Sequence, residues 1–117
     1  MIQGFDDETK PLSKHEKNIL LPAIVRGLST KIGKKNAITN RQIILALGKN
    51  KELYGIVNDA RVRKIINRIR IDGLIINLIA SSRGYYIEND IENRKKYVQG
   101  VKARAKSMLA SLQNIEI

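Results

Sequence analysis

The alternation of apolar and polar residues predicts an amphipathic helix in the first third of the chain. Ser13 followed by Glu16 matches a capping box, in which each side chain bonds the backbone of the other residue. We expect the helix over about residues 14–32, with Pro22 kinking or splitting it and Gly33 ending it. The residues expected on its buried face are Ile19, Leu20, Ala23, Ile24, Gly27 and Leu28.

A second, shorter helix is predicted after a basic loop at residues 33–36. Residues 37–39 contain a β-branched pair that suits one short strand. Thr39 or Asn40 then caps the second helix, and Gly48 ends it. Its apolar side is expected to comprise Ile43, Ile44, Ala46 and Leu47.

The third helix is predicted over residues 59–72, after a polar connector at residues 49–57. Asn58 or Asp59 is its N-cap, and Gly73 is its end. Its apolar residues stand at i, i+3, i+4 and i+7, a spacing that places them in one buried stripe: Val62, Ile65, Ile66 and Ile69.

After this helix the apolar period changes from that of a helix to that of strands. A continuous apolar run at residues 74–79 and a second run at residues 85–87 flank the turn-forming residues 81–84. Two such runs across a short glycine-containing turn predict a β-hairpin. Because side chains alternate along a strand, we expect one of Tyr85 and Tyr86 to face inward and the other outward.

The last part of the chain predicts a helix that Asn89 or Asp90 caps and that continues almost to the end. Its apolar residues repeat every seven positions, with Arg94 at one seam position: Ile91, Val98, Ala105 and Leu112 form one series, and Val101, Met108 and Ile115 form another. The seam can pair with a second subunit or fold back onto the first helix. The seven-residue repeat favours a homodimer through residues 91–115.

The charge balance is strongly basic, and it is the first indication of function. The 117 residues include 22 Lys and Arg against 11 Asp and Glu, a net charge of +11. Such a chain attracts polyanions, of which nucleic acid is the first candidate. An anionic membrane surface or an acidic protein would also satisfy the charge. The length predicts a single domain.

Several classes of site are disfavoured by composition. The chain has no Cys and a single His, His15, so neither a disulfide nor a histidine–cysteine metal site is expected. No apolar run is long enough to span a bilayer, and the acidic start is unlike a signal peptide, which predicts a cytoplasmic protein. The acids concentrate in the arm and at residues 88–92, away from the basic helix, so we expect neither an enzyme nor a cofactor or small-molecule site.

Two tracts carry a resemblance to a known family. Residues 69–74, Ile-Arg-Ile-Asp-Gly-Leu, end the third helix, and residues 83–87, Arg-Gly-Tyr-Tyr-Ile, follow the hairpin turn. The region 38–87 resembles the winged helix-turn-helix domains of bacterial repressors of the biotin-operon type, and small winged-helix proteins of phages and prophages. Its connector before the third helix is longer than in a tight helix-turn-helix.

The resemblance implies a mainly helical α+β fold: three helices, a β-hairpin wing and a C-terminal helical extension. The expected divisions are a flexible arm at residues 1–12, a winged-helix domain at 13–88 and a C-terminal helix at 89–117. The implied function is binding of double-stranded DNA in transcription or replication control, with the third helix in the major groove and the wing, residues 80–85, near the minor groove.

The residues expected to contact DNA come from three places. On the third helix, Lys64 and Asn67 are predicted to point outward and read bases, with a small residue beside them and arginines flanking them on phosphates. Arg83 is expected to enter the minor groove from the hairpin turn. The full set is Ala60, Arg61, Arg63, Lys64, Asn67, Arg68, Ser82, Arg83, Lys34 and Lys35.

Two other functions remain open. The leading alternative is a protein–protein interaction module of the same fold, whose basic face binds an acidic partner. A weaker one is binding of RNA or single-stranded nucleic acid. That mode relies on exposed aromatic residues for stacking, and four Tyr with one Phe make a poor platform.

Overall fold

The computed structural model describes residues 12–49 and 57–117, and within them the chain is mainly helical with one small antiparallel sheet. This matches the α+β class expected from the sequence. The predicted arm lies outside the described residues except for Leu12, which packs against the core. Most of the predicted connector 49–57 also lies outside them.

The first helix, α1, changes its type part-way along. A π-helical turn, Glu16–Leu20, continues directly into an α-helix, Leu21–Leu28, and the two together are α1. The π-turn ends two residues before Pro22, which has no N–H to donate to the preceding turn. The expected disruption by proline therefore takes the form of a change in helix type.

The start of α1 is capped as predicted. The Ser13 N–H donates to Glu16 Oε1 at 2.9 Å, and the Glu16 N–H donates to Ser13 Oγ at 3.2 Å. The helix ends earlier than predicted, and the hydroxyls of Ser29 and Thr30 donate to carbonyls of its last turns, at 2.6 and 3.0 Å.

The π-turn changes which residues of α1 face the core. Glu16, Leu20, Ile24 and Leu28, spaced four apart, are all buried. The prediction that Ile19 is buried is wrong, since its side of the wide turn faces solvent and it is 39% exposed. Gly27, also expected on the buried face, is exposed.

The second helix, α2, spans Asn40–Leu47 and begins with a complete capping box. The Gln42 N–H donates to Thr39 Oγ1 at 3.2 Å, and the Thr39 N–H donates to Gln42 Oε1 at 2.9 Å. Gly48 follows its last residue, as expected. Of its predicted apolar side, Ile43 is buried but Ala46 is exposed, so that part of the prediction is wrong.

The third helix, α3, spans Asp59–Asp72 and agrees closely with its prediction. Its N-cap is Asn58, whose Oδ1 accepts from the Arg61 N–H at 2.9 Å. It ends at Gly73, whose φ of 68° lies in the left-handed region that suits glycine. All four residues expected inside are buried: Val62, Ile65, Ile66 and Ile69. They form the aliphatic centre of the core, against which α1 and α2 pack.

The hairpin consists of β1, Leu78–Ser81, and β2, Gly84–Ile87, paired antiparallel. The first strand begins four residues later than predicted, because residues 74–77 form turns that place Asn77 at a φ of 65°. Tyr86 is buried, and Tyr85 is half-buried and packs against the core, so the expectation that one of the two faces outward is wrong.

The other edge of β2 pairs with the segment between α1 and α2. The Ile38 N–H donates to the Tyr85 carbonyl at 3.0 Å, and the Tyr85 N–H donates back to the Ile38 carbonyl at 2.8 Å. The short strand predicted at residues 37–39 is therefore a single bridge. It places β2 between Ile38 and β1.

The last helix, α4, spans Ile91–Ala110 and buries none of its residues. Asp90 caps it, since its Oδ1 accepts from the Glu92 N–H at 3.1 Å. The helix stops before Leu112 and Ile115, so the prediction that it continues almost to the end is wrong. The Ser111 hydroxyl, which donates to the Met108 carbonyl at 2.6 Å, closes its last turn. The alternative in which the seam folds back onto α1 is not the arrangement observed.

Candidate nucleic-acid interface

Helix α3 presents two different polar sides. Its four buried residues fix the helix rotation, so the remaining positions divide between a side that faces the start of α1 and a side that faces away from it. The predicted contact residues fall on both sides. This division separates the residues at the junction with α1 from those on the other side of the helix.

Lys64 does not point outward, which corrects the sequence-based prediction. Its Nζ lies 2.8 Å from Glu16 Oε1, and the two side chains are only 14% and 4% exposed. A lysine held against a buried carboxylate is unavailable to the acceptors of a guanine. The helical wheel could not reveal this contact, because Glu16 stands 48 residues earlier in the chain.

The Glu16 carboxyl is electrostatically adapted to this contact. Burial raises its pKa, but hydrogen bonds from Lys64 and Ser13, together with the Lys64 charge, outweigh burial and hold the pKa below its ordinary value of 4.5. Glu16 is therefore ionised at neutral pH, and the contact is an ion pair.

Three other predicted contact residues also lie toward α1. Ala60 and Arg61 are half-buried and border a cavity of about 290 Å³ that Glu16 and Lys64 also line. Arg68 is 31% exposed and lies 3.5 Å from Asp72, within the same helix. Because these residues line the junction with α1, the structure does not group them with the outward side of α3.

The opposite side of α3 carries a strip of polar residues, which we call the α3 strip: Arg63, Asn67 and Arg70. They stand at i, i+4 and i+7, so they follow one another along the helix. Arg63 and Arg70 are exposed, and Asn67 is half-buried. Arg70 was not among the predicted contact residues. Its distance of seven residues from Arg63 is the signal that places it on the same side.

Tyr97 of α4 connects the α3 strip to the hairpin. Its Oη accepts a hydrogen bond from Arg70 Nη2 at 2.8 Å and lies 3.4 Å from the Ala80 N–H on β1. The end of the α3 strip and the outer edge of β1 therefore lie close together. The contact also satisfies a backbone N–H on an edge strand that would otherwise face water.

The tip of the hairpin is a two-residue turn with both predicted contact residues exposed, Ser82 and Arg83. Ser81 holds the turn, because its Oγ accepts from the Arg83 N–H at 3.2 Å and donates to the Gly84 carbonyl at 3.0 Å. The backbone that carries Arg83 is thus ordered by contacts within the turn, while its side chain faces solvent.

Lys34 and Lys35 lie in a 3-10 turn, Lys34–Asn36, and are exposed. The Gly33 N–H donates to the Ile87 carbonyl at 3.0 Å, which places this turn beside the end of β2 that is farther from the hairpin tip. The two lysines and Arg83 therefore lie at opposite ends of the hairpin.

Metal-binding clusters and membrane-spanning helices are two other features that bear on function. Among residues 12–49 and 57–117, no group of three or more His, Asp or Glu side chains is placed to hold a metal ion. No helix in these ranges is long and apolar enough to cross a membrane. Neither a protein-family model, nor a curated protein, nor a solved structure gives a significant match to this chain.

Proposed function

We propose that this chain is a winged-helix protein that binds double-stranded DNA, with α3 as the helix that enters the major groove and the hairpin as the wing. The order of three helices, a hairpin and a further helix supports this assignment, together with the resemblance of residues 38–87. A role in transcription or replication control is the corresponding cellular function.

The α3 strip is the observation that carries the proposal. Along α3 the acids stand at the two ends, Asp59 and Asp72, and five basic residues lie between them. The strip contains two of those basic residues and an amide. An exposed helical side of this composition matches the negative potential and the hydrogen-bonding groups of a DNA groove.

The adjacent hairpin extends the same surface. Because Arg70 and β1 meet at Tyr97, a duplex that contacts the α3 strip also lies beside the hairpin. In the proposed complex, Asn67 offers a donor and an acceptor to adenine, while Arg63 and Arg70 contact phosphates or guanine. Arg83 reaches the neighbouring minor groove, and Lys34 and Lys35 contact phosphates outside it.

The test begins with fluorescence anisotropy of a labelled duplex titrated with the protein at several salt concentrations. Release of counterions predicts that log affinity falls with log salt by about 0.9 for each phosphate contact. We expect Arg63→Ala to weaken binding to every duplex. It should also reduce the steepness of this salt dependence by about 0.9, the contribution of one phosphate contact. On a selected preferred site, Asn67→Ala is expected to cost about 1–3 kcal/mol.

Arg26→Ala is the matched control, since Arg26 is an exposed arginine on α1 and its replacement removes the same charge. It should leave the slope nearly unchanged. Equal losses from Arg26→Ala and Arg63→Ala would mean that net charge alone attracts DNA, and the assignment of the α3 strip would be wrong. Absence of binding at low salt would refute the proposed function itself.

A further inference from the structure

Helix α4 carries an apolar seam that is exposed in the described part of the chain, with Val98 at its start bordering a cavity beside Leu78 and Ile79 of β1. Val98, Val101 and Met108 are 45%, 38% and 64% exposed, and Ala105 between them is also exposed. They are spaced three or four residues apart, so they form one stripe along the helix. We define the α4 seam as these four residues.

We propose that the α4 seam pairs with the seam of a second copy of this chain, with the two helices parallel and in register. The repeated spacing of three and four residues is the pattern that two helices need to interlock side chains along a shared seam. The inference does not depend on DNA binding, because no seam residue belongs to α3 or to the hairpin.

Arg94 explains why the seam begins at Val98. By spacing alone Arg94 occupies a seam position, where two like charges would meet in a parallel pair. Its Nη1 instead donates to the carbonyls of Glu88 at 3.1 Å and Asn89 at 3.2 Å. The guanidinium is thus directed back to the start of α4 and away from the part of the helix that pairs.

The charges that flank the seam favour the parallel arrangement over the antiparallel one. In a parallel pair the flanking position of one helix meets the position five residues later on the other. This rule places Tyr97 beside Lys102 and Arg104 beside Leu109. Neither pair contains two like charges.

An antiparallel pair with the same seams overlapped has its two-fold axis near residue 103. In an antiparallel pair, flanking residues on the same side of the seam meet each other. Lys102 therefore meets Lys102 of the other copy on one side, and Arg104 meets Arg104 on the other side. Both contacts oppose like charges in the middle of the interface. Charge therefore separates the two arrangements where the apolar seam alone does not.

The end of α4 is suited to extension on pairing. Residues 111–114 form turns rather than helix, yet the Leu112 N–H already donates to the Leu109 carbonyl at 3.1 Å. A small rearrangement would make these turns helical. Leu112 would then continue the seam by a further turn, so we expect helix content to rise with protein concentration.

The self-association should strengthen with salt. Helix α4 contains six basic residues and one acidic residue, Glu92, so two such helices repel each other electrostatically. Dissolved salt screens this repulsion between exposed charges. Screening weakens that repulsion and leaves the apolar contact. The expected salt dependence is opposite to that of DNA binding.

Single cysteines test the arrangement directly, because the natural chain has none. In a parallel pair the two copies of residue 98 face each other within the range that a disulfide requires. In the antiparallel pair they lie ten residues apart along the helix, roughly 15 Å. We expect Val98→Cys to form a disulfide-linked dimer on mild oxidation of the full-length protein. Lys96→Cys, on the opposite side of α4, is the control and should not become disulfide-linked.

Sedimentation of the unaltered chain over a range of concentration and salt completes the test. Dimerisation that strengthens with salt, and that Met108→Glu weakens at least tenfold, supports the proposal. The proposal would be overturned if the unaltered chain stays monomeric at high micromolar concentration, or if Val98→Cys and Lys96→Cys cross-link equally. It would also be overturned if cross-linking occurs only when Cys stands at both 98 and 108, the result expected for an antiparallel pair. A monomeric chain that binds a synthetic Glu/Leu amphipathic peptide through this seam would also overturn it, in favour of an acidic partner.

Discussion

Replacement of Lys64 by alanine separates the structural role of this residue from a role in DNA binding. The side chain forms an ion pair with Glu16 at 2.8 Å, and Glu16 Oε1 also accepts the capping hydrogen bond from the Ser13 N–H. Removing Lys64 leaves a carboxylate that is 4% exposed without its counter-ion. The expected effect is loss of stability rather than loss of base contacts.

The magnitude follows from the geometry. At 2.8 Å and an effective dielectric constant of about 20, the attraction between the two charges is roughly 6 kcal/mol, part of which repays their desolvation. Removing one partner of a buried pair typically costs about 3–5 kcal/mol. Because Lys64 retains 14% exposure, we expect Lys64→Ala to lower the free energy of unfolding by about 3 kcal/mol.

Urea denaturation followed by circular dichroism measures this change, with Lys64→Ala, Glu16→Gln and the double variant forming a cycle. The double variant should lose less free energy of unfolding than the two single variants lose in sum, because either substitution alone already removes the ion pair. Under folding conditions, Lys64→Ala should bind duplex DNA nearly as well as the unaltered chain. Unchanged stability with a large loss of DNA affinity would refute this reasoning and restore Lys64 as a contact residue.

Three further predictions concern stability. Gly84→Ala should cost about 2–4 kcal/mol in urea denaturation, because φ is +115° and a Cβ would overlap the Ile38 carbonyl. Gly27→Ala, where a Cβ would meet open space, is the control and should raise the free energy of unfolding by about 0.5 kcal/mol. Tyr97→Phe should cost about 1 kcal/mol in the same assay, because two hydrogen bonds lose their shared oxygen. The lowered pKa of Glu16 implies that its stabilisation is complete above pH 4.5 and is lost as the pH falls through the folded value. Urea midpoints measured between pH 6 and pH 3 should show this loss, and Glu16→Gln should lack that component.

The helix starts, the end of α3 and the inner side of α3 could be predicted because they depend on local chemistry. Ser13, Thr39 and Asn58 each bond the backbone N–H three residues later, so a short window of sequence contains the whole interaction. Gly73 likewise ends α3 through its own φ angle. These features belong to the chain before any tertiary contact forms.

The errors arose where tertiary contacts or altered helix geometry decide the outcome. Helix periodicity predicts that Lys64 points outward, but its position on α3 also borders α1, where a buried acid attracts it. An unbroken α-helix would place Ile19 inward, but the π-turn changes the geometry at this position. The exposed half of the candidate site followed from periodicity, whereas the half that faces α1 required knowledge of which helices pack together.

The reciprocal hydrogen bonds between Ile38 and Tyr85 have a consequence for local opening of the molecule. Ile38 immediately precedes Thr39, the N-cap of α2, so the hairpin and the start of α2 share these bonds. The hairpin cannot separate from the body without also releasing the residue before that cap. In amide hydrogen exchange, the protons of Ile38 and Tyr85 should therefore exchange through one common opening event, with the same free energy and the same response to denaturant.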